Sequence, residues 1–207
     1  MKLSSLMRPL IGLVVGISLG LMLALASGDS PLHVLQVILK SAFGSKYDFG
    51  LTLFYATPLI FTGLSVAVAF QAGLFNIGAE GQLNVAALVT AFSAIMVPGL
   101  PPWIAPFFAL GCGIAAGAIW GWIPGWLRAR RGSHEVINTI MLNFIAFALV
   151  SYLGRGVFQP ATVRTAQVGA GAMLPRLDAW WPALRGSPAN LSLLLGLLAA
   201  LGVGVLL

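Results

Sequence analysis

The sequence predicts an all-α integral membrane protein: a polytopic bundle of about six transmembrane helices with one short interfacial helix. Of the 207 residues, 59% are hydrophobic and only 8% are charged, whereas about a quarter of the residues in a soluble domain are charged. The apolar residues form long unbroken runs, which are typical of membrane helices and not of the alternating strands of a membrane β-barrel. We therefore expect residues 1–207 to form a single transmembrane domain.

The charge and cysteine content exclude several other classes of protein. The net charge of +6 does not indicate nucleic-acid binding, because the basic residues are few and lie between apolar runs, as in membrane-protein loops. The single cysteine, Cys112, lies within an apolar run, so we expect neither a disulfide framework nor a cysteine metal site. No cofactor is expected.

The first apolar run, about Pro9 to Ser27, predicts the first span. Lys2, Arg8 and the sequence Ala24-Leu25-Ala26 are also typical of a cleaved signal peptide. The run is long for such a peptide, and glycines recur at every fourth residue, which places them on one helix face where a second helix can approach closely. We therefore expect a retained helix, and its candidate packing residues are Gly12, Gly16 and Gly20.

Ser30 and Pro31 predict the start of the next helix, with serine as its N-cap and proline at its first helical position. This helix can end at Gly44, which makes it too short to cross a bilayer, so we interpret it as interfacial. The second span then runs from about Phe49 to Gln71.

A polar stretch, Gly73–Asn84, follows the second span and contains one carboxylate, three amides and three glycines. Glu80 has no charged neighbour between Asp48 and Arg128, and a charge that far from aqueous flanks indicates a functional site. If the stretch were one helix, Asn76, Glu80 and Asn84 would share a face.

The three glycines, at 73, 78 and 81, favour a broken or re-entrant helix, which is tolerated at membrane depth only where it is buried in protein or lines a water-filled cavity. The alternative is a short turn between two spans, with Glu80 at the level of the headgroups.

The third span is predicted from about Gln82 to Val97 and ends at a proline-rich turn. The fourth, from about Trp103 to Leu127, carries a ridge of small residues that favours tight helix packing. The arginines that follow it at 128, 130 and 131 are typical of a cytoplasmic topological anchor. The ridge consists of Gly113, Gly117, Gly121 and Gly125.

The fifth span begins at Ser133, a plausible N-cap, and continues to about Gly154. One of its faces is polar, either to hold the bundle together by hydrogen bonds between helices or to line a pathway, and both roles can hold at once. The residues of this face are Glu135, Asn138, Thr139 and Asn143.

A long loop, residues 155–188, separates the fifth span from a sixth apolar run at 189–207. Because that run has no polar flank, we expect the chain to be part of a longer protein. The dense arginine cluster at 128–131 favours an orientation with the N-terminus inside the cell.

Two motifs carry a resemblance to a known family: Gly-Leu-Phe-Asn-Ile-Gly-Ala-Glu-Gly-Gln at 73–82 and Gly-Ser-His-Glu-Val-Ile-Asn-Thr-Ile-Met-Leu-Asn at 132–143. Together they resemble permease subunits of bacterial ABC importers, in the branch that includes ribose, nucleoside and branched-chain amino-acid permeases. The sequence is most similar to the nucleoside or simple-sugar subgroup, and the resemblance covers essentially the whole chain.

The resemblance implies a multi-pass protein of the bacterial inner membrane. It implies three protein partners in addition to the membrane lipid: a second permease subunit, a cytoplasmic ATP-binding subunit and an extracytoplasmic substrate-binding protein. It also implies a longer chain, because the Gly-x-Asn-x-x-Ala-Ala-like segment through which the family contacts the ATPase does not occur in this sequence.

A transport subunit is therefore the predicted function, and ATP would be hydrolysed on a partner because the chain has no Gly-x-x-x-x-Gly-Lys-Ser/Thr loop. Amides suit nucleosides and sugars, since each amide offers both a donor and an acceptor to hydroxyl-rich neutral solutes. The residues predicted to line the pathway are Asn76, Glu80, Gln82, Asn84, Glu135, Asn138, Thr139 and Asn143.

Two other functions are compatible with parts of the sequence. A proton-coupled secondary transporter would use Glu80 as its titrating group, and broken helices are common in such carriers. A membrane-embedded enzyme is disfavoured, because the sequence contains no paired carboxylates, no His-x-x-x-His motif and no nucleophile elbow.

Overall fold

The computed structural model describes residues 3–159 and 164–206, and these residues are predominantly helical. Two short antiparallel strands, β1 (Phe158–Gln159) and β2 (Arg164–Thr165), and three single-turn 3-10 helices lie between the last two α-helices. The α-helices of this part of the chain are α1 (Leu3–Ala26), α2 (Pro31–Phe43), α3 (Lys46–Gln71), α4 (Ala79–Met96), α5 (Ala105–Arg131), α6 (Glu135–Val157) and α7 (Ser192–Leu206).

Four of the described helices are long and apolar enough to cross a membrane: α3, α4, α5 and residues Glu135–Arg155 of α6. The described apolar parts of α1 and α7, Leu10–Ala26 and Ser192–Leu206, are shorter than these four. The predicted all-α membrane bundle is confirmed. The third span begins at Ala79, three residues before the predicted start at Gln82.

The chain divides into two compact units. The first holds the residues up to Phe54 together with Leu177–Ala189, and the second holds Tyr55–Arg176 and Asn190–Leu207. All of the polar residues predicted to line a pathway lie in the second unit.

In the first unit, the predicted start of α2 is confirmed. The Ser30 hydroxyl accepts a hydrogen bond from the His33 N–H at 3.5 Å, and Pro31 is the first helical residue. The helix ends at Phe43, and the N–H of the following Gly44 bonds to the Lys40 carbonyl at 2.7 Å. Gly44 keeps a right-handed conformation (φ −67°), so its glycine character is not needed for a left-handed cap.

The glycine face of α1 has no partner among the described residues. A Cβ atom built on Gly12, Gly16 or Gly20 would meet no described atom within 4 Å. The role of these glycines in helix packing stays a prediction.

In the second unit, α4 packs against both α5 and α6. The glycines of α5 lie where α4 approaches it. A Cβ on Gly113 would overlap the Thr90 hydroxyl and lie 3.1 Å from the Ala86 carbonyl oxygen, and one on Gly117 would lie 3.4 Å from the Ala86 Cβ.

The last two glycines of the ridge differ from each other. A Cβ added to Gly121 would lie 2.9 Å from the Gln82 amide nitrogen. A Cβ added to Gly125, the last member of the ridge, would have no described atom within 4 Å.

We expect Gly113→Leu to destabilise the folded protein by about 1–3 kcal/mol, because a side chain there must push α4 and α5 apart. Gly111→Leu is the matched control, since a Cβ at Gly111 on the same helix meets no described atom within 4 Å. Thermal unfolding of the purified protein in detergent measures the difference. Equal melting temperatures for the two variants would contradict this account of the α4–α5 contact.

Candidate functional site

The polar stretch Gly73–Asn84 forms the link between α3 and α4. Gly73 adopts a left-handed conformation (φ 73°), its N–H bonds to the Phe70 carbonyl, and the Leu74 N–H bonds to the Ala69 carbonyl. This pair of bonds is a Schellman motif, which ends a helix and satisfies its last carbonyls. Residues 74–77 are not helical, and α4 begins at Ala79 after Gly78.

The polar stretch is thus broken at Gly73 and Gly78, whereas Gly81 lies within α4. Whether it is a re-entrant segment or a short turn with Glu80 at the level of the headgroups stays a prediction. The stretch is not one helix, so the condition under which Asn76 would share a helical face with Glu80 and Asn84 is not met. Asn76 lies in the non-helical link, whereas the other two lie on α4, because the helix period cannot be carried across the break at Gly73 and Gly78.

Asn143 of α6 holds the link against the start of α4. Its side-chain Nδ2 donates to the Ile77 carbonyl at 2.9 Å, and its Oδ1 accepts from the Gly81 N–H at 2.9 Å. The Gly81 N–H belongs to the first turn of α4, and the Ile77 carbonyl belongs to the link. Neither group has a partner within a helix. One carboxamide therefore satisfies a backbone donor and a backbone acceptor more than sixty residues away in sequence.

Two glycines, Gly78 and Gly81, lie where α6 crosses the start of α4, and a side chain at either would be crowded. A Cβ at Gly81 would lie 2.7 Å from the Asn143 Oδ1 and 3.1 Å from its Cα. A Cβ at Gly78 would lie 3.2 Å from the Cβ of Thr139, which is buried. The two glycines thus permit α6 to approach closely enough for the asparagine to reach the α4 backbone.

Three side chains form a closed ring of hydrogen bonds beside this crossing. The Ser65 hydroxyl of α3 donates to Gln82 Oε1 at 3.1 Å, the Asn76 Nδ2 donates to Ser65 Oγ at 3.1 Å, and the Gln82 Nε2 donates to Asn76 Oδ1 at 3.5 Å. Asn76 Oδ1 also accepts from the Gly78 N–H at 2.9 Å. The ring joins α3, the link and α4, and it fixes the orientation of both amides.

The sequence does not distinguish Ser65 as a site residue. Its only signal is a hydroxyl within the apolar run of the second span, and serine is too common in membrane helices for this signal to be specific.

The turn between α5 and α6 holds an ion pair. Arg128 Nε lies 3.4 Å from Glu135 Oε2, and the Arg128 guanidinium also donates to the Ser133 carbonyl at 3.5 Å. The turn is made by Gly132 in a left-handed conformation (φ 61°). Because α6 begins at Glu135, Ser133 lies one residue before the N-cap position, which the sequence predicts it to occupy. The Ser133 hydroxyl accepts a hydrogen bond from Asn138 Nδ2 at 2.6 Å.

A cavity of about 110 Å³ opens between the α3–α4 link and the turn that joins α5 to α6, which we call the α5–α6 link. Phe75, Leu74 and Pro124 supply much of its apolar wall. Its lining also brings together residues from α4, α5, α6 and the α3–α4 link, so both links lie at the same end of the helices. The polar residues that line it are Asn76, Gln82, Arg128, Glu135 and Thr139.

Four of the eight predicted pathway residues line this cavity, and four do not. Glu80 is exposed and lies outside the lining, as do Asn84, Asn138 and Asn143. Thr139 is buried, and its hydroxyl donates to the Glu135 and Val136 carbonyls of its own helix at 2.9 and 3.1 Å. Asn138 and Asn143 are engaged in the hydrogen bonds described above.

We expect Asn143→Ala to lower the free energy of unfolding by about 1–3 kcal/mol, because it leaves the Ile77 carbonyl and the Gly81 N–H without their side-chain partner. The matched control is Asn84→Ala, since Asn84 makes no side-chain hydrogen bond among the described residues. Melting temperatures of both variants in detergent test the expectation. A loss that is no larger for Asn143→Ala than for Asn84→Ala would show that the carboxamide does not stabilise the link.

Comparison with known proteins adds an independent finding. Residues 49–207 match the family model described as the branched-chain amino acid transport system/permease component. A guanosine ABC transporter permease of Bacillus subtilis is 39% identical over 173 residues, which are 84% of this chain and 49% of the relative. A nucleoside ABC transporter permease of Lactococcus lactis is 39% identical over 76% of this chain and 43% of the relative.

A glucose ABC transporter permease of Haloferax volcanii is 38% identical over 193 residues, which are 88% of this chain and 50% of the relative. The chain spans about half the length of the curated relatives it matches. No solved structure matches the chain significantly. The predicted resemblance is confirmed: the chain is a multi-pass protein of the plasma membrane and belongs to the branched-chain amino acid transport system/permease component family of ABC transporters.

Proposed function

We propose that the chain forms part of the membrane-spanning subunit of an ABC importer and lines a section of its pathway for nucleosides or simple sugars. The proposal rests on the family and on its relatives, which are named as guanosine, nucleoside and glucose permeases. The single structural observation that carries it is the cavity between the two links, with Asn76, Gln82 and Thr139 in its wall.

The chemistry of this cavity suits neutral solutes that carry hydroxyl groups. Each amide offers a donor and an acceptor. It can therefore give up a hydrogen bond to another protein group and form one to a solute hydroxyl in its place. Phe75 adds an aromatic surface to the wall, on which the face of a sugar or base can pack. Neither group requires a charged solute.

The size of the cavity implies that it must widen for a solute to pass. A cavity of about 150 Å³ in another protein is large enough to bind benzene, and this one measures about 110 Å³. It is therefore too small for a complete nucleoside in the conformation described. Transport then requires a second conformation, whose population would be shifted by a partner that binds it more tightly.

The energy for this change would come from a cytoplasmic ATP-binding subunit, since the sequence contains no phosphate-binding loop. A second permease subunit would supply the rest of the pathway, and an extracytoplasmic binding protein would deliver the solute. Glu80 is exposed and lies outside the cavity, so it is not assigned a proton-transfer role.

The test of the proposed function is uptake of radiolabelled guanosine, adenosine and glucose by cells that lack the native gene and carry the full-length gene with its partners. We expect uptake of at least one solute, and loss of this uptake when the phosphate-loop lysine of the ATP-binding subunit is replaced. Uptake that persists in the ATPase-deficient cells would overturn the assignment to an ABC importer.

Gln82→Leu is expected to lower the uptake rate about tenfold or more, because leucine keeps the approximate size of the side chain but removes the amide from the cavity wall and from the ring. Gln71→Leu is the matched control, since Gln71 is exposed at the end of α3. Initial uptake rates are divided by the amount of protein in the membrane. If the two variants transport equally well, the cavity does not lie on the pathway.

A further inference from the structure

The cavity wall contains one positive and one negative side chain. Among the residues that the structure describes, Arg128 and Glu135 are the charged groups in its lining. Their side chains lie 3.4 Å apart, so the two charges compensate each other within the wall. The other polar groups of the lining, Asn76, Gln82 and Thr139, are neutral.

The two partners differ in how well water can reach them. The Glu135 side chain is 19% exposed, whereas that of Arg128 is 46% exposed. The carboxylate therefore lies on the more enclosed side of the contact, and the guanidinium lies on the more open side. The guanidinium is held in place by its second bond, to the Ser133 carbonyl at 3.5 Å.

The neighbouring arginines do not share this position. Arg130 and Arg131 are exposed, and neither lines the cavity. The sequence alone assigns all three arginines to one topological anchor, but the structure separates Arg128 from the others. Only Arg128 reaches a carboxylate among the described residues.

We propose that Arg128 is a specificity-determining residue: it neutralises Glu135, so that the cavity wall has no net charge and admits neutral solutes. This inference rests on the proposed function, because it concerns the solute that passes through the same cavity. Without Arg128, the wall would carry an uncompensated negative charge, which would attract cations and hold a neutral solute less well. The contribution of the pair to stability is secondary, since a partly exposed ion pair contributes little.

The charge of the cavity can be measured without transport. Gly125 lines the cavity, and a Cβ on it meets no described atom within 4 Å, so a cysteine fits there without strain. We would introduce Gly125→Cys into the full-length permease complex after Cys112 and every other reactive cysteine of the complex have been replaced by alanine. The thiol is then labelled with methanethiosulfonate reagents that carry either a trimethylammonium or a sulfonate group.

Arg128→Gln is expected to raise the ratio of the cationic to the anionic labelling rate about tenfold, since one unpaired charge favours one reagent and disfavours the other. Glu135→Gln should lower the ratio by a similar factor, and Arg128→Gln with Glu135→Gln should return it to the starting value. Arg130→Gln, the matched control, removes the same charge from the same helix end and should leave the ratio within about twofold, because exposed charges are screened. A ratio that responds equally to Arg128→Gln and Arg130→Gln would overturn the proposal.

Uptake by the same variants separates neutralisation from a purely structural ion pair. If Arg128 acts by neutralising Glu135, uptake of a neutral nucleoside falls in Arg128→Gln and recovers in the doubly neutral Arg128→Gln, Glu135→Gln variant. If the pair acts as a structural link, the doubly neutral variant stays impaired, and only the exchanged pair Arg128→Glu, Glu135→Arg recovers. The second pattern would overturn the proposal.

The two proposals fail in different ways. Absence of ATP-dependent uptake by the unaltered full-length complex would refute the importer function and leave the labelling ratios interpretable. Normal uptake with labelling ratios that do not depend on Arg128 would refute the neutralisation alone. Should Arg128→Gln fail to reach the membrane, the opposite shift expected for Glu135→Gln still tests the charge balance.

Discussion

The two hydrogen bonds of Asn143 are the constraint on which the arrangement of α3, α4 and α6 depends. A chain that turns between membrane helices exposes backbone donors and acceptors, and the hydrocarbon offers them no partner. Gly81 is buried where α6 crosses the start of α4, so a side chain must supply the partner of its N–H. The carboxamide of Asn143 bonds to both Ile77 and Gly81. An ionised aspartate at this position could only accept from the Gly81 N–H, and a leucine could make neither bond.

The position of α4 set by this contact determines how α5 packs. Gly81 allows α6 to approach α4 from one side, while Gly113 and Gly117 allow α5 to approach it from another. In a bilayer the hydrophobic effect contributes little to contact between helices, so close packing and internal hydrogen bonds must hold them together. The small residues and the asparagine therefore form one system, because the hydrogen bonds are short only if the backbones are close.

The sequence predicts the helices well because long apolar runs and glycine or proline boundaries are local signals. It predicts the roles of the polar residues poorly because those roles depend on contacts across the bundle.

Glu80 is the most conspicuous residue of its stretch, yet it is exposed outside the cavity. Ser65, which closes the ring with Asn76 and Gln82, lies on another helix and has no local signal. Arg128 and Glu135 belong to separate predicted features, and only the turn at Gly132 brings them together.

The ring of Ser65, Asn76 and Gln82 also sets a condition on any solute of the cavity. In the conformation described, these groups are hydrogen-bonded to each other. A solute can replace one of these bonds at little net cost only if it both donates and accepts, because an amide left without a partner costs about 1–3 kcal/mol wherever water cannot take the partner's place. Hydroxyl groups meet this requirement, whereas a purely apolar solute would leave the amides unpaired and a cation would satisfy only their acceptors. On the proposed function, the same ring that joins α3, the link and α4 beside the cavity therefore favours neutral, hydroxyl-bearing solutes when the cavity widens.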